Sequence, residues 1–450
     1  MSLQFIIGSS GSGKSCYAYQ NIIEQAGLHP EKLFFVIVPE QFTMQTQKTL
    51  VEMSPGKGIL NIDILSFERL AYRVLEEVGG DSRTLLEETG KSMVLQKMVQ
   101  QHGKELSYLG GQMRKAGYLD EVKSILSEFM QYDIRDSEIQ EMIEDSSDRA
   151  LLQMKLKDVS VLYQAFIGYL KDHYMTGEEV MDALEKALPF SRKMKNSVLL
   201  LDGYTGFTPI QMRVVGELLA VCEKVMVTVT MDATENLSTR GKPYQLFYMS
   251  RQMIHGLSEL TRDIEESILL KDVRKSRFSQ APALHFLEKN IFRYRKNVYK
   301  KKQDEICMFS ATSPLKEMEE TARRIARLVR EKDCRYGEIA VITGNLEAYK
   351  SIASQVFEES QIPYFLDEKH TILMNPFVEY IRAALEMAVQ DFSYESVFRY
   401  LRCGMSCVTR EEADLLENYV LALGIRGFKK WDEVWVRIYR GMPPESIQRL

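Results

Sequence analysis

The chain has 450 residues, too many for one ordinary core, and at roughly 100 to 200 residues per domain it should divide into two to four units. Its 45% hydrophobic and 27% charged residues describe a soluble globular protein, and a net charge of -5 excludes a uniformly basic nucleic-acid coat, so any DNA or RNA contact has to come from local patches. No stretch approaches the roughly 20 continuous apolar residues of a membrane span, and the apolar run Leu3 to Ile7 follows no basic leader, so a cytoplasmic location without a membrane partner is expected.

The first predicted strand, Leu3 to Ile7, ends in a glycine-rich loop, and a helix opens at Lys14. The runs Leu33 to Val38 and Ile59 to Leu65 read as further buried strands, the second followed by a helical stretch, Ser66 to Leu75. Strands alternating with helices predict an α/β fold with a parallel sheet. From 81 to 196 the composition turns to Glu, Lys, Gln, Leu and Met and predicts a helical insertion. Its clearest helix carries Leu152, Leu156, Val159, Tyr163, Phe166 and Leu170 as one stripe, which suits packing inside the insertion better than a partner coiled coil.

The α/β pattern resumes with Ser197 to Asp202 and Val225 to Thr230, which can complete the first sheet. A polar stretch follows, containing the run Lys289 to Lys302 with seven basic residues, no acidic residue and three aromatics. A second α/β pattern begins near Glu305, with strands expected at Ile306 to Phe309, Glu338 to Thr343 and Ile362 to Leu366. Helices return after about 376, and the chain reads as the N-terminal piece of a longer protein.

The loop Gly8-Ser9-Ser10-Gly11-Ser12-Gly13-Lys14-Ser15 matches G-x-x-x-x-G-K-[ST] at every fixed position and lies between a strand and a helix, where backbone N–H groups can face phosphate oxygens. Lys14 is expected to reach the β and γ phosphates of ATP, and the Ser15 hydroxyl to hold Mg²⁺. Asp202, ending an apolar strand, fits the second Mg²⁺ position, but Gly203 stands where many ATPases carry the glutamate that activates water. Such a site binds ATP better than it hydrolyses it. In the basic run, Lys289, Arg293, Arg295 and Lys296 could neutralise a nucleic-acid backbone while Phe292, Tyr294 or Tyr299 stack on bases, although a solvated helix face is the plainer reading. The six cysteines and six histidines form no ligand-spaced group; only Cys403 and Cys407 are close in sequence, and they read as ordinary thiols.

These motifs together resemble superfamily 1 helicases of the UvrD/Rep type, and within them the B subunits of bacterial AddAB helicase-nucleases, over the whole chain. Gly8 to Ser15 is similar to motif I, Val38 to Thr43 to motif Ia, and Asp202 to Gln211 to motif II. Leu65 to Leu75 looks like a region that contacts the DNA strand in helicases, which would give Ser66, Phe67 and Arg69 that role. Glu317 to Ile342 resembles the opening of a second motor domain. The resemblance implies a RecA-like domain in two parts, 1–80 and 197–304, a 1B-like insertion at 81–196, the start of a second RecA-like domain at 305–375, and a truncated 2B-like insertion at 376–450.

The departures are specific. Gly203, Thr205 and Gly206 replace the Glu and the Gln-Asp pair of an active helicase, and Gly344 stands where the motif IV arginine is expected. Decay of this kind with motif I intact resembles a B subunit that binds ATP and single-stranded DNA beside an A-subunit motor in a heterodimer that processes DNA breaks. The family's nuclease domain and its four cluster-binding cysteines match nothing here, so an iron–sulfur cluster is expected only in the missing C-terminal part. An active ATP-dependent helicase and a nucleotide-binding scaffold for the partner are the alternatives.

Overall fold

The structure is a computed structural model that describes residues 2–79, 83–113, 115–236, 239–272, 276–293, 296–367 and 372–440. The chain divides into two compact units, Met1–Cys307 and Met308–Leu450.

The first unit is built on a six-stranded parallel sheet. Its strands are β1 (Ser2–Gly8), β2 (Leu33–Ile37), β3 (Ile62–Leu65), β6 (Ser197–Leu201), β7 (Lys224–Thr230) and β8 (Ile268–Leu269), in the spatial order β3-β2-β6-β7-β1-β8. The central strands β2 and β6 are apolar on both faces because both faces are covered. In β6, Leu199 and Leu201 enter one core while Leu200 enters the other. In β1, Phe5 and Ile7 point one way and Ile6 the other.

The helices on the sheet are α1 (Lys14–Leu28), α2 (Thr43–Met53), α3 (Phe67–Val78), α10 (Pro209–Val221) and α11 (Tyr248–Leu260). In α3 the sequence supplies its own start, stripe and stop. Ser66 accepts the Arg69 amide at 3.3 Å, Phe67, Leu70, Ala71 and Val74 are buried, and Gly79 ends the helix at φ 82°.

Between β3 and β6 lies the helical insertion, with α4 (Glu88–His102), α5 (Ala116–Gln131), α6 (Asp136–Asp145), α7 (Ala150–His173), α8 (Gly177–Ala187) and α9 (Arg192–Lys195). Two short strands missed in the sequence, β4 (Thr84–Leu85) and β5 (Tyr174–Met175), pair in parallel at its base. Val159, Leu162, Phe166 and Leu170 of α7 are buried in the insertion's own core, so the stripe is internal packing, while Leu152 stays exposed. Asp158 of the same helix is buried and accepts the amides of Ser107, Tyr108 and Leu109, pinning the loop between α4 and α5.

The second unit corrects an expectation. The runs Ile306 to Phe309, Glu338 to Thr343 and Ile362 to Leu366 form no strand among the described residues. Without neighbouring ladders several of their hydrophobic side chains are left outside, Ile342 at 92% and Phe365 at 87% exposure, while Ile362 is buried in a small helical core. What does form is helical: α13 (Pro314–Glu331) packs on α14 (Leu346–Glu359) through Met318, Ile325, Val356 and Phe357. Farther along, α15 (Pro376–Val389) meets α16 (Tyr394–Arg402) through Glu379 and Arg399 at 3.2 Å. A separate cluster from α16 and α17 (Arg410–Leu423) gathers Phe398, Tyr419 and Val420. No described helix is long and apolar enough to cross a membrane.

Candidate nucleotide site

The sheet order sets the site. The loop after β1 and the residue after β6 lie at the carboxyl ends of strands separated only by β7, the usual ligand position in an open parallel sheet. Helix α1 starts from Gly13 at φ 88°, with no side chain capping its first turn and no acidic residue in that turn. Its leading amides and positive dipole end therefore suit an anion.

Lys14 Nζ donates to the Ser9 carbonyl at 3.0 Å within the loop. Burial pushes the Lys14 ammonium below its ordinary value, partly offset by the negative charges of Asp202 and Glu288. A cation held in a poorly solvated place gains much from a phosphate. Gly11, Gly13, Lys14, Ser15, Cys16 and Arg277 line a cavity of about 260 Å³ there. None of the six is a carboxylate, so the cavity has no negative group of its own.

The Ser15 hydroxyl donates to Asp202 Oδ1 at 3.0 Å, which places a hydroxyl and a buried carboxylate side by side. Hard oxygen ligands in this arrangement fit Mg²⁺ bound with a nucleotide. Two further groups on Asp202 are invisible in the motif. Tyr19 donates to Oδ2 at 2.6 Å and Thr228 to Oδ1 at 2.6 Å. A signal for both exists: Tyr19 is one turn after Ser15 on α1, and the register Leu201↔Val227 puts Thr228 beside Asp202.

The residues expected to meet nucleic acid do not form one surface. Ser66, Phe67 and Arg69 follow β3, an edge strand, four strand spacings or about 19 Å from β1. Ser66 is occupied as a helix cap, and Phe67 is buried edge-on against Tyr204 and Phe207. Arg69 is exposed and pairs with Glu40 at 2.8 Å. The adjoining cavity of about 610 Å³ is lined by Glu40, Glu68, Glu87, Glu88 and Glu178, and its one lysine, Lys91, already bridges Glu88 and Glu178. An acidic wall repels a phosphate backbone, so this geometry favours Arg69 alone of the three.

The basic run also separates into different environments. Lys289, on α12 (Pro282–Asn290), lines a small cavity with Ser9 and Ser12 and so adjoins the phosphate loop. Arg293 turns inward: its side chain is 7% exposed and pairs with Asp232 and with Glu288, the latter at 3.3 Å, over the Phe247 ring. The geometry thus reassigns Arg293 from a DNA-facing charge to an internal clamp. Lys296 is exposed, Phe292 is 74% exposed, and Tyr299 packs on Phe286. Tyr294 and Arg295 lie outside the described residues. The described residues hold no group of three or more His, Cys, Asp and Glu able to bind a metal, and Cys403 Sγ bonds the Tyr400 carbonyl at 2.9 Å.

A family profile described as "ADDB, N-terminal" matches residues 5–288, more than half of the chain. The chain belongs to the ADDB family. It is 42% identical over 447 residues to the B subunit of the ATP-dependent helicase/deoxyribonuclease of Lachnoclostridium phytofermentans, covering 98% of this chain and 39% of that relative. B subunits of the same name from Clostridium novyi and a Thermoanaerobacter species are 34% and 33% identical, over 97% and 98% of this chain and 38% of each relative. The chain thus spans about two fifths of the length of these ADDB relatives.

Proposed function

We propose that this chain is the ATP-binding, motor-like region of a cytoplasmic DNA-break-processing helicase-nuclease subunit, one that engages single-stranded DNA beside an A-subunit motor and does not itself unwind. The observation that carries the reading is the Ser15 hydroxyl 3.0 Å from Asp202 at the foot of the glycine-rich loop. That a hydroxyl and a carboxylate 187 positions apart meet there supports a site for Mg²⁺–ATP. In this reading the α1 amides donate to phosphate oxygens, and Lys14 exchanges the Ser9 carbonyl for the β and γ phosphates. Ser15 and Asp202 hold Mg²⁺, which when bound neutralises phosphate charge. Residue 203 is glycine and supplies no proton acceptor for an attacking water.

The names of the relatives, each the B subunit of a helicase/deoxyribonuclease, support a DNA-processing complex with a second subunit. Exposed Arg69, Lys289 and Lys296 are the groups offered to DNA, as local contacts and not a continuous basic face. No nuclease residue or cluster ligand of this chain is assigned. The test is to measure Mg²⁺–ATP binding and turnover with and without single-stranded DNA. Binding without DNA-stimulated turnover is expected; stimulated turnover would establish an active motor, and no binding would end the nucleotide reading.

A nucleotide-stabilised scaffold for the A subunit is the second reading, favoured by the way Ser15, Tyr19 and Thr228 all donate to Asp202 and so tie α1, β6 and β7 together. It predicts that ATP raises affinity for the partner while leaving DNA binding unchanged.

A further inference from the structure

The polypeptide from 276 to 293 crosses beside the phosphate loop and is fixed at both ends. At one end the Arg277 amide donates to the Gly11 carbonyl at 2.8 Å. Gly11 has φ 75°, and a Cβ there would stand 3.0 Å from the Phe278 ring and 3.3 Å from the Arg277 side chain, so only glycine lets this segment lie so close. At the other end Arg293 is held by Asp232, just past β7, and by Glu288. The segment is thus tied to the loop at Arg277 and to the end of β7 at Arg293, by contacts that involve no ligand.

We propose that Arg277 is a second cationic contact for the nucleotide's phosphates, acting beside Lys14. This rests on the nucleotide reading and names a residue that no motif in the loop supplies. Arg277 lines the same cavity as Lys14 and Ser15. It differs from the other well-placed arginines of this unit: Arg213 meets Asp133, Asp182 and Glu185, Arg251 meets Glu235, and Arg293 meets Asp232 and Glu288. Among the described residues the Arg277 guanidinium has no acidic partner, and the cavity it lines contains no carboxylate. A triphosphate brings several negative charges against one lysine in the loop, and a planar guanidinium with five donors complements phosphate oxygens better than an ammonium does. Its backbone anchor lets it make that contact with little further ordering of the chain.

The test compares the intact chain with Arg277→Ala, Arg277→Lys and Lys14→Ala by titrating Mg²⁺–ATP, Mg²⁺–ADP and adenosine in a calorimeter, and by thermal unfolding with and without nucleotide. Arg277→Ala should weaken ATP and ADP binding by about 10- to 100-fold, the scale of a lost hydrogen bond to a charged group, and leave adenosine unchanged. Arg277→Lys should recover part of that loss, and the unliganded melt of both variants should match the parent. If Arg277→Ala binds ATP like the parent while Lys14→Ala loses it, Arg277 has no such role and the nucleotide site stands. If neither variant nor parent distinguishes ATP from adenosine, the nucleotide reading fails and this inference fails with it.

Discussion

The Tyr19 phenol donates to Asp202 Oδ2 at 2.6 Å, with both residues buried, so α1 is bonded to the end of β6 without any phosphate. Burial, then the adjacent Asp202 charge, pushes the Tyr19 pKa up, and the phenol stays a donor through the whole physiological range. Tyr19→Phe removes the donor and leaves one oxygen of a buried carboxylate short of a partner. A loss of about 1.5 to 3 kcal/mol is expected for a hydrogen bond to a charged group. It should show as a lower urea midpoint for the sheet-containing unit; an unchanged midpoint would mean that Thr228 and Ser15 suffice to hold Asp202.

Gly203 shows why the missing glutamate is not a single-residue defect. The residue has φ 82°, in the left-handed region, and its amide lies beside Thr228 at the turn out of β6. A side chain there costs about 1 to 2 kcal/mol before its function is considered. Gly203→Glu and Gly203→Ala should therefore lose stability to a similar extent, and Gly203→Glu should hydrolyse ATP no faster than the parent. A rise in turnover with the glutamate alone would show that the loop accommodates an active base.

How far the sequence could be read depended on whether a feature is local. The strand β6 was legible because a parallel strand covered on both faces is apolar throughout, and Asp202 stood out as the first charge after it. Tyr19 and Thr228 were not singled out, since their meeting on Asp202 depends on helix phase and on the β6–β7 register. Arg293 read as part of a basic surface because seven cations without an acid lie close in sequence; its partners Asp232 and Glu288 become neighbours only in the fold. The runs of the second unit have the composition of strands, but composition cannot supply the neighbouring ladder a strand needs.

Arg293 and Lys296 are three residues apart and should behave as different kinds of residue. Arg293→Ala leaves Asp232 and Glu288, 15% and 16% exposed, without their shared cation, and breaking a buried pair in this way costs about 3 to 5 kcal/mol. Lys296 is exposed, so Lys296→Ala should leave the melting temperature unchanged. If Lys296 meets a DNA backbone, its removal should also reduce the salt dependence of single-strand binding by about one phosphate contact. Equal melting temperatures for the two variants would contradict the internal clamp.

Glu77 governs how the helical insertion rejoins the sheet, and it predicts a pH dependence of known sign. Near the end of α3, its carboxylate accepts the Ser191 hydroxyl at 2.6 Å and the Arg192 and Lys193 amides at 2.9 and 3.1 Å, the groups that open α9 just before β6. Burial works against the charge, but these three donors and the Lys193 ammonium outweigh it, so the folded carboxyl lies below its ordinary value of 4.5. A carboxylate depressed in the folded state contributes stability that is fully present above the unfolded value and is lost as pH falls through the folded one. Glu77→Gln should then cost about 1 kcal/mol near neutral pH, the scale of a helix cap. The gap between variant and parent midpoints should close as pH falls well below 4.5. A gap that persists in acid would assign the loss to shape and packing at the α3–α9 joint, and not to the charge on Glu77.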